Sequence, residues 1–140
     1  MVNFLNILSQ ISLMVDAGLV ILIWIVQLVI YPSFLHYTTE NLYSWHQKYT
    51  SRIAIMVVPL MLFQLIYGLI ILFYFPTINH FIYLALVIFL WVFTFLTFAP
   101  LHNKISNRNI NNKLLTKLIY RNWIRTFLWS FLLIFHFFIS

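Results

Sequence analysis

The side chains able to do chemistry are few, and they cluster at the ends of apolar runs. The chain holds two acidic residues and five histidines. His36, Glu40 and His46 lie in one stretch, Ser33 to Ser51, that also carries Tyr43, Trp45 and Tyr49. His102 follows Pro100 and Leu101 at the end of a later apolar run. Imidazoles and a carboxylate in this number suit zinc, iron or copper, so His36, Glu40, His46 and His102 are candidate metal ligands. Their spacing matches no standard motif, because no two of these histidines stand three or four residues apart. The same imidazoles could instead ligate haem or pass protons, or serve as polar anchors at a membrane interface.

A second set has helical spacing. Asn122, Arg125, Thr126 and Trp129 fall at i, i+3, i+4 and i+7, one face of a helix, and His136 continues that stripe two turns on. Asn122 and Arg125 could hold an anionic or carbonyl group, although an arginine here could also snorkel to lipid phosphate. The expected catalytic set is therefore His46, Tyr49, Asn122 and Arg125, with Gln27, Tyr31, Arg52, Thr126 and Trp129 as cofactor-binding neighbours. Asp16 and Gln27 are eleven residues apart, close to three helical turns, and Tyr31 extends their stripe. Asp16 then either lines an interior path or sits at the headgroup level. Gln64 is expected to hydrogen-bond between helices.

The same inventory excludes several classes. Without cysteine, this chain supports no disulfide, thiolate or iron–sulfur chemistry of its own. No serine–histidine–acid arrangement, phosphate loop or dinucleotide motif is present. Two acidic residues are too few for a carboxylate-rich diiron bundle.

The elements that must position these groups are apolar throughout. Of 140 residues, 64% are hydrophobic and 7% charged, against about 25% charged in a soluble domain. Lipid is the natural solvent for such a surface. The expected fold is all-α, a single transmembrane domain over residues 1–140 forming a four-helix bundle. Its spans cover about 11–32, 53–75, 81–99 and 123–139, with Pro32, Pro76 and Pro100 expected to close the first three. Pro59 is expected to kink the second span or lie in its first turns. Only Gly18 and Gly68 are glycines, so large side chains and polar contacts, rather than small-residue motifs, must fix the helices.

All eight Lys and Arg lie in or beside the first and third connections, and none at the termini or in the second connection. The positive-inside rule puts these connections on the cytoplasmic side and both termini outside. The net charge of +6 thus reads as a topology signal and not as a nucleic-acid interface. The N-terminus shows no pattern of a cleaved signal peptide. Each basic connection, the first and the third, is expected to carry an interfacial helix. Thr38 or Thr39 can cap a helix in the first, and Asn111 or Asn112 one in the third. In the third, Lys113, Lys117 and Arg121 oppose Leu114, Leu115, Leu118 and Ile119, the pattern of a helix lying on the membrane surface.

The segments QLVIYPSF (27–34), HQKYTSR (46–52), PLMLFQ (59–64), PLHN (100–103) and NWIRTFLW (122–129) resemble a family of small four-helix bacterial membrane proteins known only as hypothetical proteins. The likeness runs over nearly the whole chain, NWIRT being its most specific part. It implies topology and a polar cluster on the cytoplasmic side, but no activity. A looser similarity, to anthrone-oxygenase-like membrane proteins, rests on four spans and a proline after the first. Three functions remain open. The chain could be a membrane-embedded enzyme or cofactor protein, holding a transition metal or haem and acting on a lipophilic substrate or quinone. It could be a non-catalytic subunit or assembly factor of a larger membrane complex or homo-oligomer. It could also be a small proton-coupled transporter using Asp16. A bacterial inner membrane fits better than a mitochondrial one.

Overall fold

The computed structural model describes residues 2–140, which form four long helices and no strand. Helix α1, Val2–Ile25, runs on through a π turn at Val26–Ile30 and short helical turns at Tyr31–Ser33 and Phe34–His36. Helix α2 spans Thr39–Tyr74. Helix α3, Ile78–Phe93, passes through a second π turn, Thr94–Phe98, into Ala99–Ser106. Helix α4 spans Asn112–Ile139. Each α-helix packs on the next, and α4 closes the ring against α1. The two termini and the α2–α3 turn share one end of the bundle, the termini end. The other two connections share the opposite, basic end.

All four helices are long and apolar enough to cross a membrane. Apolar side chains cover their outward faces as well as the core, with Phe73 82% and Phe138 78% exposed. A helix apolar all round is one whose outer face does not meet water.

The connections are set by caps and prolines. Thr38 Oγ1 accepts from the Asn41 backbone N–H at 3.3 Å and starts α2. Pro76 ends it, since a proline cannot donate to the helical ladder. Asn111 Oδ1 accepts from the Leu114 N–H at 2.8 Å and starts α4. Between α3 and α4, Arg108 takes a left-handed φ of 60°. Its guanidinium reaches Glu40 at 3.4 Å and lies 4.4 Å from the Tyr43 ring centre, fastening this connection to the start of α2.

Two expectations are corrected here. The helices expected on the membrane surface are not separate elements. The stretch after Thr38 is the first part of α2, which runs unbroken through Pro59. The Lys113–Arg121 stretch is the first part of α4, and Leu114, Leu115 and Leu118 join the protein core with Leu101 and Ile105 rather than lipid. Likewise Pro32 and Pro100 do not end their helices. Each stands two residues after a π turn. The wider turn absorbs the carbonyl that the proline cannot satisfy.

Candidate functional site

The two π turns and the middle of α4 enclose a cavity of about 210 Å³. Leu19 and Ile23 of α1, Val57 and Met61 of α2 and Phe95 and Phe98 of the α3 π turn supply apolar wall. Tyr31, Tyr49, His102 and Arg125 supply a polar end. Val58 and Phe95, on the wall, are 40% and 56% exposed. The cavity therefore reaches the outer face of the bundle between α2 and α3.

Arg125 is the unusual member. Its side chain is buried, and Nε has no hydrogen-bond partner. Among the described residues no carboxylate pairs with it, because Glu40 bonds Arg108 and Asp16 bonds His136. The guanidinium lies instead over two rings, 4.2 Å from the Phe98 centre and 5.2 Å from that of Trp129. Cation–π contact offsets part of the cost of burial but fills no N–H. Two more buried groups on the cavity wall lack partners, Trp91 Nε1 and Thr94 Oγ1. Buried polar atoms are nearly always bonded, so three unpartnered ones around one cavity set this region apart.

A chain of proton-carrying groups leads away from the cavity toward the basic end. Tyr31 OH lies 3.1 Å from His102 Nε2, His102 Nδ1 lies 2.7 Å from His46 Nε2, and His46 Nδ1 lies 3.4 Å from Ser106 Oγ. The two imidazoles stack, with centres 5.0 Å apart. This chain is self-consistent in both directions. With Tyr31 O–H donating to His102, His102 donates to His46 and His46 to Ser106. With every bond reversed, Ser106 donates first and Tyr31 accepts last. Imidazole tautomers with both senses available suit proton transfer.

Of the expected catalytic set, His46, Tyr49 and Arg125 converge, with Tyr31, His102 and Trp129 beside them. Asn122 sits one turn nearer the basic end, where Nδ2 donates to Gln27 Oε1 at 2.9 Å and ties α4 to α1. Gln27 Nε2 donates to the Ile119 carbonyl at 3.4 Å. Thr126 donates to the Asn122 carbonyl at 3.0 Å. These three groups brace the site without lining the cavity. Arg52 is exposed and takes no part.

The proposed metal set is not assembled. His36 ends a 3₁₀ turn whose next residue, Tyr37, is extended, so its ring is carried outside. Glu40 is exposed and bound to Arg108. His46 and His102 face each other, and their mutual hydrogen bond uses nitrogens that ligation would need. Among the described residues no three His, Cys, Asp or Glu side chains are placed to share an ion.

A second polar cluster lies toward the termini end. Asp16 is fully buried there and faces the inside of the bundle. His136 Nδ1 meets Asp16 Oδ2 at 2.5 Å, and Gln64 Nε2 donates to Oδ1 at 2.7 Å. Tyr83 OH stands 3.3 Å from both carboxylate oxygens. Trp129 Nε1 points to Gln64 Oε1 at 3.5 Å, so the indole that walls the cavity also touches this cluster.

Sequence reasoning missed Trp91, Thr94 and Tyr83. Trp91 and Thr94 are three residues apart on one face of an otherwise apolar span, which was the available signal. The chain matches no family model, no curated protein and no solved structure. Its site must be interpreted from its own geometry.

Proposed function

We propose that this chain is a lipid-embedded four-helix protein that binds a lipophilic molecule through an oxygen-bearing head group at Arg125. Its basic end lies in the cytoplasm and its termini outside, in a bacterial inner membrane, as in the uncharacterised family its motifs resemble. The observation that carries the reading is a buried guanidinium with no carboxylate partner, set at the polar end of an apolar cavity. A charge so placed is costly unless something pairs with it. A carboxylate or a quinone-like carbonyl supplies the missing acceptor.

The cavity holds the head and its first carbons. It is smaller than the roughly 300–1,000 Å³ of pockets that enclose a drug-sized ligand. The rest of an apolar tail then leaves between α2 and α3, where lipid would surround it. Tyr31 and His102 stand at the head, and the His102–His46–Ser106 chain gives it a proton route toward the basic end. This arrangement suits an enzyme or cofactor protein whose substrate gains or loses a proton in the membrane. Arg125 positions and charges the head, while Tyr31 and His102 exchange protons with it.

The test uses protein in nanodiscs and two probes, decylubiquinone and a bromine-labelled laurate, read by quenching of tryptophan fluorescence. Saturable quenching by at least one probe is expected, through Trp91 and Trp129. Affinity should fall at least tenfold in Arg125→Met and stay unchanged in Arg52→Met. Equal affinity in wild type and Arg125→Met, or only non-saturable partitioning of both probes, would refute the assignment.

A further inference from the structure

The buried cluster around Asp16 is not used by the cavity, yet it is the most fully connected group in the molecule. Asp16 is the sole aspartate of the chain. Polar groups reach it from the other three helices, Gln64 on α2, Tyr83 on α3 and His136 on α4, with Tyr67 of α2 beside His136 and the unpartnered Ser12 Oγ one turn away on α1. No lysine or arginine pairs with it among the described residues. The chain of contacts continues outward. His136 Nε2 lies 3.1 Å from Tyr67 OH, and Tyr67 OH donates to Ser9 Oγ at 3.3 Å. Ser9 is only half-buried, in the termini-end part of α1.

We propose that Asp16 and His136 form a proton-exchange site, loaded and emptied from the termini end through Tyr67 and Ser9. The warrant is that this bonding geometry accepts two proton counts with almost no movement. In the loaded state His136 carries both ring protons. Nδ1–H donates to the Asp16 carboxylate, Nε2–H donates to the Tyr67 oxygen, and Tyr67 O–H donates to Ser9. In the emptied state Nδ1–H still donates to Asp16, and the Tyr67 hydroxyl has turned to donate to Nε2. The Tyr67 proton has passed outward to Ser9 and water, and the Nε2 proton has replaced it on Tyr67. One proton leaves, the Tyr67 donation moves from Ser9 to His136 Nε2, and the Asp16–His136 bond is kept in both states.

Asp16 stays an anion throughout, held by Gln64 and Tyr83. Those two donors are what let the carboxylate remain buried once the imidazolium charge is gone. A cluster built only to join helices would need neither a titratable pair nor an outlet. The site stands independently of any ligand in the cavity. Together with the His102–His46 chain it places proton carriers on both sides of that cavity.

The experiment is magic-angle-spinning NMR on wild-type protein in lipid, with ¹⁵N-histidine and ¹³C-carboxyl-aspartate labels. A single aspartate makes the imidazole nitrogen nearest the ¹³C label His136 Nδ1, so the assignment needs no mutation. Across the pH range where the protein stays folded, Nε2 of His136 should change from protonated to unprotonated while Nδ1 keeps its proton. In Tyr67→Phe, solvent exchange of the Nε2 proton should slow at least tenfold. Two fixed nitrogens over the whole range would overturn the proposal. Unchanged exchange in Tyr67→Phe would overturn the route.

Discussion

The molecule buries two polar clusters, and they are built on opposite terms. Toward the termini end, a carboxylate meets an imidazole, an amide and a phenol from three other helices, and only Ser12 Oγ lacks a partner. Toward the basic end, a guanidinium meets two aromatic faces and an opening, and its Nε bonds nothing. The first cluster completes itself and holds four helices together. The second is left incomplete within the chain. Where burial of a polar group is compensated inside the chain, the gain is stability. Where it is left uncompensated beside a cavity, the gain is affinity.

The comparison is broken or sharpened first at His136. Replacing it with leucine leaves Asp16 buried without its imidazole partner and should cost about 3 kcal/mol or more. The readout is unfolding in bicelles, and the double variant Asp16→Leu/His136→Leu should recover much of the loss. If His136→Leu unfolds like a variant of an exposed residue such as Phe127→Leu, the cluster does not hold the helices as described. Arg125→Met comes next and runs the other way. It should leave stability unchanged or raised, because it removes a buried charge with no carboxylate partner. Probe affinity should fall by at least about 1.4 kcal/mol, a factor of ten. A clear loss of stability would mean that the guanidinium has found its compensation within the protein.

Smaller effects separate bracing from binding. Asn122→Leu removes the hydrogen bond to Gln27 and should cost about 0.6–1 kcal/mol, the usual range for such contacts between membrane helices. Probe affinity should barely change, since Asn122 does not line the cavity. The two glycines give the least. A Cβ on Gly68 would meet Leu84 Cδ1 at 3.1 Å, and the tip of a leucine can move. Gly68→Ala should therefore cost under about 1 kcal/mol. A Cβ on Gly18 meets nothing within 4 Å, and Gly18→Ala should be neutral or stabilise by a few tenths of a kcal/mol. Thermal unfolding of the pair, side by side, checks both.

Much of the scaffold was legible in the sequence, because the helical period and the placement of charge are local signals. The four apolar runs, the Thr38 and Asn111 caps and the buried Asn122–Arg125–Trp129–His136 stripe follow from spacing alone. What spacing cannot show is which residues meet across helices. Asp16 and His136 are 120 positions apart, and His46 and His102 are 56 apart. The candidate ligands His36, Glu40, His46 and His102 are not brought together, for the same reason. Nearness in sequence put His36 and Glu40 beside His46, whereas the break at Tyr37 and the pull of Arg108 turned them outward. The π turns were hidden too. Pro32 and Pro100 look like helix ends, and only the fold shows the chain staying helical past them to wall the cavity.

That Arg125 and its cavity receive a lipophilic molecule is tested most directly by photo-crosslinking in nanodiscs with a fatty carboxylate carrying a diazirine near its head. Labelled peptides should map to Val57, Met61, Phe95 and Phe98, and labelling there should disappear in Arg125→Met while signal on outward residues such as Phe73 persists. Labelling spread evenly over lipid-facing residues, with no concentration on the cavity wall and no response to Arg125→Met, would contradict the assignment.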